Sequence, residues 1–374
     1  MAIFLFLKQF VDMFYQWKWC DVAMVIAVIP MLMYQFLLVR PDVKKMLKVP
    51  DVIIFILIAL FTISFLKDTV SYREYIKVLS AFLLFFMGRL YYDRIQDCND
   101  ALAISSYLIV YLNFFYRIVR FGAGLFSVSN ADGDLYYYDT DMAYAMILAF
   151  VFIAMFAKKS VLKILTLVLV CPYMILFSDA DIQKIIFALV LAVLALYFVD
   201  VALRKRAFAM TGMGILMVLS IMGVIALYLP LFDIHVPALD QVIYSIRIFN
   251  PGNMNSRYSE WKSVMDVNWP SDIAGYLFGI GMNTTLPLKS LYMKIIYSLG
   301  IAGIVLAGLL MIFVYKAALF AKDRKSFYIL AAIALLTLLS GVTINSMETT
   351  QMSWFMMLFA GMVVSADEEA ASRI

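Results

Sequence analysis

Nearly the whole chain is cut into apolar runs that lack the polar stripe a water-exposed helix carries. They cover residues 20–39, 51–66, 75–91, 100–117, 141–157, 160–177, 183–203, 209–231, 290–315, 326–345 and 349–366. A hydrocarbon core of about 30 Å takes about 20 helical residues. The runs therefore read as about eleven transmembrane helices. Of the 374 residues, 65% are hydrophobic and 15% charged. That leaves too little polar material to clothe a water-soluble protein and excludes intrinsic disorder. The expected fold class is all-α, a polytopic membrane helix bundle, with residues 1–374 forming one integral membrane domain. Residues 1–17 are interrupted by Lys8 and Asp12 and are rich in aromatic residues. They suit an N-terminal interfacial helix better than a span. The segment lacks the basic start, apolar core and small-residue cleavage site of a signal peptide, so none is expected.

Basic residues orient the bundle. If the runs alternate in direction, one side receives Arg40, Lys44, Lys45 and Lys48, then Arg89 and Arg94, then Lys158, Lys159 and Lys163. The same side receives Arg204, Lys205 and Arg206, then Lys316, Lys322, Arg324 and Lys325. The positive-inside rule makes this side cytoplasmic. The C-terminus is then inside and the N-terminal segment outside. Two longer connections, 118–140 and 232–289, fall on the outer side. Long loops in a compact membrane protein tend to carry function.

Several chemistries have no support. The net charge of +4 and the absence of a basic arm argue against nucleic acid. Cys20, Cys98 and Cys171 are widely separated, and His235 is the single histidine. Neither a disulfide framework nor a metal-ligand spacing is present. No phosphate-binding glycine loop appears, and no cofactor or metal is expected.

The larger outer loop holds the most chemistry. Asn250-Pro251-Gly252-Asn253 is turn chemistry. Ser256 suits the N-cap of a helix over about 257–266. Tyr258, Trp261 and Met265 share one face of that helix, with Val264 beside them. Arg257 lies in the first turn, where free N–H groups and the helix dipole favour an anion. Its planar guanidinium matches phosphate. Arg247, ten residues upstream, can converge on the same point. The pattern points to a phosphate or pyrophosphate clamp, or else both arginines meet lipid headgroups or loop carboxylates. Glu260 follows Arg257 by three residues. Lys289 either snorkels to headgroups or joins the arginines. His235 would be the group that titrates near neutrality, or is incidental. In the shorter loop, Arg117 and Arg120 precede Tyr136, Tyr137, Tyr138, Asp139 and Asp141. Rings and carboxylates together suit sugars, although the tyrosines also fit an aromatic belt. Lys184 follows Asp181 by three residues and either pairs with it or serves the site.

One stretch resembles the bacterial O-antigen polymerase and O-antigen ligase superfamily. It comprises Arg257-Tyr258-Ser259-Glu260-Trp261, then Gly275 to Gly281, then Ser290 to Gly303. The order matches that family's arginine helix, G-x-G turn, short polar motif and apolar L-G-x-x-G helix. The close match covers roughly 50 residues, and the span layout extends it loosely. The resemblance implies a GT-C-like bundle in the bacterial inner membrane with its large loop periplasmic. It also implies metal-independent transfer of glycan between undecaprenyl-pyrophosphate-linked oligosaccharides, building an O-antigen, capsule or exopolysaccharide. A chain-length regulator and a flippase are the partners implied. Arg257, Arg247 and Lys289 would neutralise the leaving pyrophosphate, and Glu260, Asp139 or His235 would orient the acceptor hydroxyl. Arg117, Arg120, Tyr138, Asp139, Lys184, Trp261 and His235 would contact substrate. The family's ligases carry a His-Asn pair where this chain has Lys289-Ser290. That departure tilts the expectation toward a polymerase. The alternatives are a ligase of the same fold and, in another class, a transporter or flippase of lipid-linked glycan.

Overall fold

The computed structural model describes residues 1–13, 18–39, 47–67, 72–121, 139–178, 181–252, 256–268, 272–281, 288–320 and 323–371. Every apolar run is largely helical, and no strand occurs among the described residues. The cause is backbone chemistry. In hydrocarbon no water bonds to a peptide group, so each N–H and C=O must be satisfied within its own segment. The helices are α1 (Ala2–Met13), α2 (Lys18–Val39), α3 (Val49–Lys67), α4 (Tyr72–Leu90), α5 (Tyr92–Gln96) and α6 (Asn99–Phe121). Next come α7 (Asp139–Phe156), α8 (Val161–Leu165), α9 (Cys171–Leu176), α10 (Asp181–Val201) and α11 (Arg206–Tyr228). The chain continues with α12 (Pro237–Tyr244), α13 (Arg257–Asn268), α14 (Ile273–Phe278), α15 (Leu291–Phe320), α16 (Arg324–Ser340) and α17 (Thr350–Ala371). A π-helical turn, Thr166–Val170, joins α8 to α9 within the run 160–177.

Five helices are long and apolar enough to cross a membrane: Val49–Lys67, Asn99–Val119, Asp181–Val201, Arg206–Phe232 and Leu291–Phe320. Shorter apolar helical stretches lie at Val22–Leu38, Asp141–Phe156, Val161–Leu176 and Thr350–Ser365. Three helices are buried on all sides over long stretches: α7 over 142–153, α16 over 326–337 and α17 over 350–365. They form the core of the bundle. The outer helices α10, α11 and α15 instead expose Phe198, Ile215, Leu219, Met222, Ile225, Val305 and Ile312. An apolar surface of that extent is consistent with a multi-pass membrane protein.

The closest helix pair is α4 on α17. A Cβ added to Gly88 would lie 2.0 Å from the Leu358 carbonyl oxygen, and one added to Gly361 would lie 2.0 Å from that of Phe85. Small residues let backbones approach where lipid offers no hydrophobic drive between helices. Polar links flank this seam. Trp354 Nε1 donates to Ser80 Oγ at 2.9 Å, and Ser365 Oγ donates to the Arg89 carbonyl at 3.0 Å. Arg89 in turn pairs with the buried Asp51 of α3 at 3.3 Å.

Two elements depart from the simplest reading of the sequence. The N-terminal helix α1 is tied into the bundle along one face, with Phe4, Leu5, Lys8 and Gln9 buried. Ser106 Oγ donates to Gln9 Oε1 at 2.9 Å, and Lys8 pairs with Asp12, donates to Thr350 and sits 4.4 Å from the Trp354 ring centroid. The second departure is in α15, expected as one continuous span. It breaks at Gly300, whose φ of 66° and ψ of −161° are not helical. The turn after α14 packs into the break. A Cβ on Gly300 would meet the Leu277 backbone at 2.5 Å, and one on Gly279 would meet Ser298 at 2.3 Å. The carbonyls freed by the break find new donors: Ile280 N–H on Tyr297 at 2.9 Å and Ser64 Oγ on Ser298 at 2.8 Å.

Gly361→Ala should lower the thermal unfolding temperature in detergent sharply, because the added methyl meets backbone. Gly223→Ala has nothing within 4 Å of the new atom. It should hold or raise stability by up to about 1 kcal/mol through helix propensity. Equal effects of the two substitutions would refute the close α4–α17 approach.

Candidate functional site

The loop expected to carry function folds around an aromatic cluster. One face of α13 buries Tyr258, Trp261 and Val264. Trp261 is fully buried and stacks on Tyr228 at the end of α11, with ring centroids 4.9 Å apart and planes 20° apart. Phe249 packs against Trp261 at 6.0 Å and Tyr258 meets it edge-on at 5.8 Å. Tyr258 donates its hydroxyl to the Leu227 carbonyl at 2.7 Å. Burial raises the affinity of that phenol for its proton, with Tyr244 and Asp240 adding to the effect, so it stays a donor. The Tyr228 hydroxyl lies 2.5 Å from Ser290 Oγ, just before α15. Through these contacts α13 is held against the C-terminal end of α11, which in turn meets the residue before α15.

The polar side of α13 carries a three-charge group. Arg257 Nη1 donates to Glu260 Oε2 at 2.8 Å, and Lys289 Nζ lies 3.5 Å from Glu260 Oε1. Two cations on one carboxylate leave a net positive charge. Side-chain exposure rises from 19% for Arg257 through 26% for Glu260 to 57% for Lys289. The group therefore opens toward solvent on the lysine side. Arg257 Nε has no hydrogen-bond partner among the described residues. A buried N–H left over on a guanidinium suits an anionic oxygen. Glu260 thus bridges the two cations and holds them on one side of α13.

The structure brings Arg257, Glu260, Lys289 and Trp261 together, with Trp261 beneath the charges as packing rather than on the surface. Arg247 begins the short 3₁₀ turn Arg247–Phe249 next to α13, but its side chain lies outside the described residues. The same holds for the side chains of Arg120 and Asp139, and for Tyr138 with the rest of 122–138. Arg117 is buried and turns to α9: its Nη2 donates to the Phe177 carbonyl at 2.8 Å, and it lies 5.7 Å from the Tyr173 ring centroid. Lys184 pairs with Asp181 at 3.1 Å. His235 is 56% exposed and faces Asp240 at 3.3 Å. The Ser256 side chain does not cap α13. Its Oγ is buried and makes no hydrogen bond among the described residues.

A second charged group was not singled out from the sequence. Lys294, only 8% exposed, pairs with Glu74 of α4 at 3.2 Å and with Glu348 of the α16–α17 connector at 3.4 Å. It lies one turn beyond Ser290 on α15. The signal was a lysine and a glutamate at the edges of apolar runs, where charge is costly unless paired. Burial pushes the Glu348 carboxyl above its ordinary 4.5, opposed by Lys294 and reinforced by Glu74. A carboxyl whose pKa rises on folding holds its proton longer when folded than when unfolded. Its contribution to stability is therefore lost as pH climbs from that ordinary value through the raised one. Glu348→Gln should flatten this part of the stability–pH curve, measured by thermal unfolding from pH 4.5 upward. A variant curve parallel to that of the wild type would remove Glu348 as the cause.

A scan against protein-family models finds no match for the chain, and a search of curated protein sequences finds none either.

Proposed function

We propose that this chain is a membrane glycosyltransferase that polymerises undecaprenyl-pyrophosphate-linked oligosaccharide units on the outer face of the bacterial inner membrane. The Arg257–Glu260–Lys289 group carries the reading. It concentrates net positive charge at the first turn of α13, with an unused guanidinium N–H. Transfer of a glycan from pyrophosphate needs its developing negative charge neutralised, and fixed cations do this without a metal. The site sits on the outer ends of α11 and α15, two of the helices long enough to span a membrane. A lipid-tailed substrate would reach it from the side. The span count of about eleven, the GT-C-like arrangement and the cytoplasmic C-terminus belong to the same proposal.

A transporter of lipid-linked glycan is the second reading. The break at Gly300 and the buried Lys294 favour it, because interrupted helices and interior charges mark transport pathways. One assay separates the two. Purified protein is incubated with a lipid-linked repeat unit, without nucleotide or metal. A ladder of longer glycans is the outcome expected. Single transfer to a different acceptor would indicate a ligase, and movement of unchanged substrate between leaflets would indicate a transporter. Arg257→Ala should reduce ladder formation by on the order of 10²-fold, the scale of losing one transition-state donor. Arg257→Lys should recover only part of it, since the planar fork is lost. Unchanged chain growth in Arg257→Ala would remove this residue from the site.

A further inference from the structure

The helices α11 and α15 touch at both ends and part between them. At the outer end the Tyr228 hydroxyl meets Ser290. At the other end Arg206 Nη2 donates to the Leu319 carbonyl at 2.7 Å, and the Tyr315 hydroxyl donates to that of Met210 at 3.1 Å. Above this second junction lies an open apolar groove of about 490 Å³. Its α11 wall is formed by Met210, Thr211, Gly214, Ile215, Val218 and Leu219, and its α15 wall by Tyr315 and Leu319. These α11 positions recur at helical spacing, so the groove runs along the helix axis. From Met210 to Leu219 the rise is about 13 Å. That is close to half of the roughly 30 Å hydrocarbon thickness. The groove is thus as deep as one leaflet.

Basic residues flank the α11–α15 junction that bounds this end of the groove. Arg204, Lys205 and Arg206 form the turn between α10 and α11, and Lys316 sits on α15 next to Tyr315. Arg204, Lys205 and Lys316 are exposed. Arg204 takes a left-handed backbone conformation with φ of 56°, unusual for a residue with a side chain. We propose that this groove is a binding site for an anionic phospholipid. One acyl chain lies between α11 and α15, and the phosphate is held by Arg204, Lys205 and Lys316. The lipid closes the gap that the two helices leave. Charge complementarity selects the occupant. A zwitterionic lipid fills the groove equally well but brings its own cation to these basic residues, so it is disfavoured there. The site is separate from the Arg257 group and does not depend on the glycosyltransferase reading.

The test uses the full-length protein purified in an uncharged detergent and native mass spectrometry. Phosphatidylglycerol and phosphatidylcholine with identical chains are supplied in competition. The wild type should retain one phosphatidylglycerol at least five-fold over phosphatidylcholine, at the depth of a single saturable site (about 1.0 kcal/mol from RT ln 5). Replacing Arg204, Lys205 and Lys316 together by Gln should abolish the preference. Gly214→Leu should reduce retention of both lipids. A Cβ there meets only the Tyr315 hydroxyl at 3.4 Å, so the longer side chain extends into the groove. Equal retention of the two lipids by the wild type would overturn the proposal. A photoactivatable phosphatidylglycerol supplies a measurement that needs no variant. Saturable labelling of residues 210–219 and 315–319 supports the site, and labelling spread evenly over α10, α11 and α15 sinks it.

Discussion

A peptide group in hydrocarbon has no solvent to fall back on, and the whole architecture answers to that. It makes every apolar run helical, and it sets the terms on which helices end or break inside the bundle. The α16–α17 connector shows how. Its residues are largely buried, yet Thr343 and Ile344 donate to the Ser340 carbonyl at 2.9 and 3.0 Å, and Glu348 donates to that of Asn345 at 3.1 Å. The connector closes its own turns before α17 begins. Its Gly341 carbonyl also accepts from Leu291 N–H at 2.7 Å, which serves the first turn of α15. The irregular backbone of this buried connector is thus completed by its own turns and by α15.

The same economy governs charge. Lys8, Arg89, Lys294 and Arg324 each meet a carboxylate on a neighbouring turn or helix. Arg324, for example, bonds Asp200 at 2.9 Å, and Tyr328 donates to the other oxygen of that carboxylate at 3.1 Å. These pairs tie α10 to α16 and α3 to α4. Glu260 differs because it serves two cations at a partly open surface, which leaves surplus positive charge there. Lys294 has the opposite imbalance, one cation between Glu74 and Glu348, so the group at α13 stands out for its surplus of positive charge.

How much of this was legible in the sequence follows from the range of the forces involved. The apolar runs fixed where helices form, because that depends on local composition. The α13 helix and its apolar face were also legible, from Ser256 onward and from the spacing of Tyr258 and Trp261. The partners of these residues were not. That Trp261 stacks on Tyr228, and that Lys289 reaches Glu260, depends on where α11 and α15 end in space. Lys294 looked like one more lysine at a span edge, and only its carboxylate partners on α4 and the connector set it apart. Gly300 sat in an apolar run with ordinary helical neighbours. Its break is imposed from outside by the turn at Gly279, so no local pattern announced it.

The interruption at Gly300 also divides α15 mechanically. The outer piece, Leu291 to Leu299, is a short lever whose fulcrum is the glycine. At about 1.5 Å per residue its far end lies some 13–15 Å from that pivot. Lys289, Ser290 and Lys294 all ride on it, so a tilt of about 10° would carry Lys289 by more than 2 Å on the same geometry. That displacement is comparable with the 3.5 Å separation between Lys289 and Glu260. The positive group at α13 and the buried Lys294 cluster are therefore not independent. A displacement of the Leu291–Leu299 segment as a unit would therefore disturb both groups together.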